Sequence, residues 1–301
     1  MEFSRRNFLG ATAAAAVAAK AAHAVPADLV RGSDRVTLGH SGVTTSVLGI
    51  GTGTRSGNEQ LGMGQAEFLK MIHHAYDRGI RYLDTADMYT THLFVRFVLQ
   101  ELPREDFFIQ TKTLAKNAEV ATADINRFLK EMKCGYIDSL LIHCMQKKDW
   151  PTTMAPVIDV LREAKEKGKV RSIGVSCHGW DPLVDAVDCD WVDTHLVRIN
   201  PTGDKMDGAP EKVADKIAAM HAKNRGVIGM KIYGEGAYKS REERLESLKY
   251  VLGMGTVPAF TIGFSSIAQI DETMDMIEEA GVTKRQQTAA AQAAVSRLAF
   301  A

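Results

Sequence analysis

Along the chain, short apolar runs alternate with longer stretches in which apolar side chains return every three or four positions, the spacing of an amphipathic helix. Eight of the short runs read as strands, over residues 47–51, 81–86, 107–112, 137–143, 170–177, 191–199, 227–233 and 259–264. Helical spacing lies between them at 67–77, 125–132, 157–167, 214–221, 243–252 and 270–280. Gly79, Gly168 and Gly281 stand where three of these stretches end, and glycine closes a helix in the left-handed conformation without steric penalty. Apolar strands separated by helices predict a parallel sheet, and eight such units in one run predict an α/β fold of the (β/α)8 TIM-barrel type. A hairpin over residues 36–45 is expected to close the base of the barrel. The alternative is a doubly wound nucleotide-binding domain, suggested by Gly49-Ile50-Gly51-Thr52-Gly53 at the end of the first strand. That motif requires a helix next, whereas residues 55–64 read as loop, so the barrel is the expected fold.

Composition narrows the partners. Hydrophobic residues at 45% and charged residues at 25% suffice for a packed core, which excludes a disordered chain. The 37 Lys and Arg balance 37 Asp and Glu, so no basic footprint for nucleic acid or an anionic membrane is expected, and the partner is a small molecule. Four cysteines without a C-x-x-C pair fit neither a disulfide scaffold nor a zinc ribbon or iron-sulfur cluster. No G-x-x-x-x-G-K-[ST] run supports a P-loop enzyme.

The first residues read as an address. Ser4-Arg5-Arg6-Asn7-Phe8-Leu9 precedes an alanine-rich apolar run and the small-x-small site Ala22-His23-Ala24. That run is interrupted by Lys20 and is too short for a stable membrane span. The paired arginines followed by Phe8-Leu9 resemble the twin-arginine (Tat) consensus, with Gly10 as the departure. The expected division is a signal peptide over residues 1–24, read by the Tat export machinery, and a single barrel domain over 25–301 exported folded to the periplasm.

In a barrel the chemistry sits at the carboxyl ends of the strands. The second run brings Asp84, with Tyr89 just beyond; the third ends at Lys112 and the fourth at His143. Neighbouring strands bring these ends together. A buried lysine needs a carboxylate partner, and a lysine beside a tyrosine favours phenolate, lowering the phenol from its ordinary pKa of about 10 so that it can work as an acid or base. Each residue also has a plain structural alternative: Asp84 and Lys112 as an ion pair of the core, Tyr89 as a loop aromatic, His143 as a satisfied core histidine.

Five ordered blocks carry a resemblance. They are Leu38-Gly39 to Gly49, Gly79-Ile80-Arg81-Tyr82-Leu83-Asp84-Thr85-Ala86 to Tyr89, Arg104 to Lys112, Tyr136-Ile137-Asp138-Ser139-Leu140-Leu141-Ile142-His143, and Gly168 to Ser176, followed by Ile262-Gly263. Together they resemble the aldo-keto reductases. The resemblance implies Tyr89 as proton donor to a carbonyl, Lys112 paired with Asp84 as the group that tunes it, and His143 as the residue orienting the carbonyl oxygen. It implies a nicotinamide cofactor across the barrel mouth, and an aldehyde, ketone or alcohol as the small-molecule substrate.

Cofactor contacts implied by the same resemblance fall on Gly51, Ser176, Lys231, Gly263, Ser265 and Gln269. Three positions depart from the family pattern: Cys177 replaces an asparagine, Leu196 a glutamine, and Met230 an aromatic. Gln269 stands where an arginine often meets the 2′-phosphate, a contact glutamine cannot make in charge-assisted form. The expectation remains NADP(H) over NAD(H). The alanine-rich tail from Val282 offers no aromatics for a substrate wall. Cys144, Cys177 and His178 could be taken for a metal site, or the two cysteines for a disulfide if their Cβ atoms come within about 4.5 Å; no metal is expected. Two functional alternatives stand beside the reductase: an exported barrel that binds a nucleotide or small ligand without turnover, and, last, a metal-dependent hydrolase.

Overall fold

Period-two alternation along each strand sends one set of side chains into a barrel and the other against a ring of helices. The computed structural model describes residues 28–298, and the expected signal segment lies outside the described residues. A hairpin of β1 (Arg35–Thr37) and β2 (Thr44–Ser46) precedes eight parallel strands: β3 (Leu48–Gly51), β4 (Tyr82–Asp84), β5 (Phe108–Thr113), β6 (Ile137–Met145), β7 (Val170–Cys177), β8 (Thr194–Arg198), β9 (Gly226–Met230) and β10 (Ala259–Gly263). They follow one another around the sheet, and β10 pairs with β3 to close it. A closed barrel excludes the doubly wound alternative.

The barrel floor explains a glycine. A Cβ at Gly49 would lie 2.1 Å from Cδ1 of Tyr82, so the absence of a side chain is what admits the Tyr82 ring. That ring meets Phe108 edge to face at 4.9 Å. Leu38, from the β1–β2 turn, joins Tyr82, Phe108, Leu141, Leu196, Ile228 and Ala259 in one interior cluster. The hairpin therefore closes the base, as the sequence predicts, and everything above this floor is free to be polar.

Outside the sheet run α1 (Asn58–Asp77), α2 (His92–Glu101), α3 (Ala118–Met132), α4 (Trp150–Thr153), α5 (Ala155–Glu166), α6 (Trp180–Val187), α7 (Pro210–Ala222), α8 (Arg241–Met254), α9 (Ile267–Glu279) and α10 (Lys284–Leu298). Gly79, Gly168 and Gly281 follow α1, α5 and α9 with φ of 85°, 70° and 68°, the left-handed closure expected of them. Residues 55–64 differ from expectation. Only a 3-10 turn, Thr54–Gly57, precedes α1, which begins at Asn58 and is bent at Gly64 (φ 75°, ψ 165°). The alanine-rich tail forms a helix: α10 packs on α7 and α8, with Gln287 Nε2 donating to Leu252 O at 3.0 Å. Its first residue bonds back to Asp28 O at 2.9 Å, on the base side. Among the described residues no helix is long and apolar enough to cross a membrane.

Candidate active site

Tyr89 ends the short turn Asp87–Tyr89 that follows β4. A buried set of hydroxyls anchors this turn: Thr91 Oγ1 lies 2.7 Å from Thr52 Oγ1 and 2.8 Å from Thr85 Oγ1, while Thr52 Oγ1 donates to Asp84 O at 3.0 Å. Glycines bring the neighbouring loop against the tyrosine. A Cβ at Gly53 would come 2.5 Å from Cζ of Tyr89, and Gly57, at φ +91°, approaches the Tyr89 carbonyl more closely than any side chain allows.

Lys112 rises from the inward face of β5 and is 1% exposed. Its Nζ donates to Asp84 Oδ1 at 2.7 Å and to Thr85 O at 2.7 Å, and it lies 5.0 Å from the centre of the Tyr89 ring. Two of its three donors are thus spent. Burial alone would lower the lysine pKa, but Asp84 and then Tyr89 outweigh it, so Lys112 is held above its ordinary value and stays charged. The phenol departs from the sequence expectation. Burial, the largest influence, raises the Tyr89 pKa above its ordinary value, and the Lys112 charge opposes burial without overcoming it. The lysine's part is to keep a buried phenol from rising further.

His143, from β6, sets its ring 5.7 Å from that of Tyr89 at 86°. Burial, then Lys112, His178 and Lys116, depress it to about 2, and its buried Nδ1 has no partner. The imidazole is therefore neutral, a donor or acceptor but not a cation. A neutral buried histidine has a linkage consequence. Below the ordinary pKa of about 6.5 the unfolded chain gains a proton that the folded site refuses, so stability is present above that pH and is lost as pH falls. Between pH 7 and pH 5 this residue alone should remove about 2 kcal/mol. Chemical denaturation at the two pH values should show that loss reduced in His143→Asn; an equal loss in both proteins would place the imidazole in solvent.

A cavity of about 590 Å³ opens beside this group, within the size range of ligand pockets. Tyr89, Asp84 and Gly51 line one part of it; Ser265 and Gln269 line another, at the start of α9, with Gly263 beside Gly51 in the sheet. Ser266 caps that helix, and Gln269 Oε1 accepts from Ser265 N at 2.8 Å, so Gln269 spends its carbonyl on the turn. Lys231 and Met230 also line the cavity, with Lys231 Nζ 3.0 Å from Glu235 Oε1. Thr261 Oγ1, on the same wall, is buried without a partner. Glycine walls, a helix N-terminus and an unpaired hydroxyl fit an elongated phosphate-bearing ligand such as a dinucleotide.

Ser176 is placed differently. It is fully buried, its Oγ accepts from the Cys144 backbone N–H at 3.2 Å, and it does not line the cavity. Leu196 packs into the interior floor. All four cysteines are free, which decides the pairing left open for Cys144 and Cys177: Cys177 Sγ donates to Pro182 O at 3.2 Å, whereas Cys144 Sγ lies 3.6 Å from His178 Nε2. Among the described residues no three His, Cys, Asp or Glu side chains converge as metal ligands. Sequence reasoning missed the cavity residues that lie on helices and in the loops around them, Lys239 among them. Arg244 of α8 and Glu272 of α9 both line it and are paired at 2.9 Å. Helix residues facing a cleft carry no strand-end signal, so only folding reveals them.

The profile of the aldo/keto reductase family matches residues 47–251. The chain is 26% identical over 157 residues to the aldo-keto reductase YhdN of Bacillus subtilis (strain 168), covering 46% of this chain and 46% of that protein. It is 26% identical over 167 residues to an NADH-specific methylglyoxal reductase of Escherichia coli (strain K12), covering 47% of this chain and 51% of that protein. The chain spans about half the length of these curated relatives. The solved aldo-keto reductase AKR11C1 from Bacillus halodurans, in its holo form, aligns with a TM-score of 0.69 at 18% identity, over 87% of this chain and 96% of that chain. At that identity the likeness carries the fold. Because the family profile runs from the first barrel strand into α8, across every one of the four residues gathered at the barrel mouth, the chain belongs to the aldo/keto reductase family.

Proposed function

We propose that the protein is a nicotinamide-dependent oxidoreductase that reduces an aldehyde or ketone to an alcohol, or runs the reverse reaction. The observation that carries this is the placement of Tyr89, beside the buried Lys112–Asp84 pair and the neutral His143, at one part of a cavity whose other part meets the start of α9. Tyr89 gives its phenolic proton to the carbonyl oxygen as charge builds there. Lys112, fixed by Asp84, stabilises the phenolate left behind, and His143 donates a hydrogen bond that orients the same oxygen. A reduced nicotinamide, when bound, supplies the hydride.

Gly51, Gly263, Ser265 and Gln269 are the residues proposed to hold the dinucleotide along the cavity, with Lys231 toward its phosphates. NADP(H) is proposed over NAD(H). Lys239 and Arg244 on the cavity wall support this, since a 2′-phosphate gains from charge-assisted contacts that a hydroxyl does not. Residues 1–24 are proposed to direct folded export to the periplasm by the twin-arginine route, residues 25–301 forming the exported barrel. Export of a folded chain lets a cofactor be acquired beforehand and retained.

The deciding experiment is to purify the protein from the periplasmic fraction, measure released nucleotide, and titrate NADPH and NADH by fluorescence. Bound nucleotide with NADPH roughly tenfold tighter than NADH supports the whole reading. Equal affinities would remove the NADP preference. Absence from the periplasm would remove the export reading. No binding of either would favour the second reading, a barrel without turnover, which the departures at Cys177, Leu196 and Met230 motivate.

A further inference from the structure

We infer that Gln110 is a positioning residue for this site, a buried amide that fixes the Asp84 carboxylate from inside the barrel and so sets where Lys112 stands against Tyr89. The inference rests on the function proposed above. Gln110 lies on β5 two residues before Lys112, hence on the same inward face, and pairs in register with Asp84 of β4. It is fully buried. Its Nε2 donates to Asp84 Oδ1 at 2.9 Å and to Tyr82 OH at 2.9 Å.

The orientation of the amide follows from chemistry. An ionised carboxylate only accepts, so the nitrogen rather than the oxygen must face Asp84. The consequence is a cost: Gln110 Oε1 is buried with no partner. Methionine or leucine would fill the same interior space without an orphaned carbonyl. What the amide supplies is a second donor to Asp84 Oδ1, so that oxygen is held by Lys112 from the mouth side and by Gln110 from the floor side. With both donors in place the carboxylate cannot swing, and the ammonium it holds keeps its 5.0 Å distance from the Tyr89 ring. Gln110 is itself secured, because the Tyr82 ring beneath it is wedged between Gly49 and Phe108. A continuous line of contacts thus runs from floor to mouth: Tyr82, Gln110, Asp84, Lys112, Tyr89.

Gln110→Met, which keeps the length and removes the amide, is the test. The expected result is a roughly tenfold fall in kcat with KM and cofactor affinity unchanged, the loss of one hydrogen bond to a charged group. A second readout needs no turnover. Fluorotyrosine placed at position 89 brings the phenol titration into a range the fold survives, and fluorine NMR should show its midpoint moving up in Gln110→Met. Tyr82→Phe, which removes only the lower anchor, should move it in the same direction by less, and carries the test if the methionine variant fails to fold. A fall in kcat with an unmoved titration would assign Gln110 to packing and overturn the inference; so would an unchanged kcat. If the wild type reduces no carbonyl yet the titration moves, the positioning role stands while the proposed function falls.

Discussion

Replacing Tyr89 with phenylalanine is expected to lower kcat for carbonyl reduction by about 10²–10⁴-fold, the range that a positioned general acid contributes. The substitution removes one hydroxyl and keeps the ring. Gly53 and Gly57 pack against that ring and the backbone behind it, and the threonine hydroxyls that hold the turn do not involve the phenol, so the loop should keep its place. Cofactor affinity should therefore be unchanged, and the loss should fall on kcat rather than KM. Steady-state kinetics with NADPH and a simple aldehyde, paired with a fluorescence titration, separates the two. A variant that keeps more than about a tenth of wild-type kcat would show that the proton comes from elsewhere.

Lys112→Met is expected to have the second large effect, on stability as well as rate. The ammonium is buried and shares its charge between Asp84 and the Thr85 carbonyl. Without it the carboxylate keeps only the neutral Gln110 donor. Breaking one side of a buried ion pair costs about 3–5 kcal/mol, because an uncompensated charge is left behind. Reduction should fall in parallel, since the phenolate formed at Tyr89 loses its nearest cation. The informative control is the double variant Lys112→Met with Asp84→Asn, which removes both charges. It should regain most of the lost stability in a denaturant melt while remaining inactive. Recovery of activity along with stability would show the pair to be a support of the core and nothing more.

The sequence exposed the site well because strand chemistry is regular. Asp84, Lys112 and His143 sit on the inward faces of three successive strands, β4, β5 and β6, where period-two alternation and the carboxyl-end rule point directly at them. Gln110 obeys the same alternation and was legible as inward, but its role depends on a contact with a different strand. What the residues could not display was the balance of opposing effects at Tyr89: proximity to a lysine is readable, the depth of burial that outweighs it is not. Arg244 and Glu272 meet across the cavity from two helices, a pairing set by packing alone.

Helix boundaries were harder for local reasons. Neither α2 nor α6 has a side chain that caps its start with a hydrogen bond, and both are short, 10 and 8 residues, so few turns were available to show helical spacing. Gly62 and Gly64 gave residues 55–64 the look of a loop, yet α1 tolerates both by bending at Gly64, with its packing against α2 and α9 overriding local propensity. In α10 the sole buried residue is Ala291, so amphipathic periodicity had almost nothing to mark.

One consequence follows from how the described chain begins. Asp28 and Val30 bond to residues beside the start of α10, and Gly32 bonds to Leu48 at the entrance of β3, so this end of the polypeptide is stitched to the pole of the barrel opposite Tyr89. Whatever is attached ahead of it, whether a leader, an affinity tag or a tether to a surface, departs from the far pole. A tether joined directly ahead of residue 28 would leave the reacting face pointing away from its point of attachment.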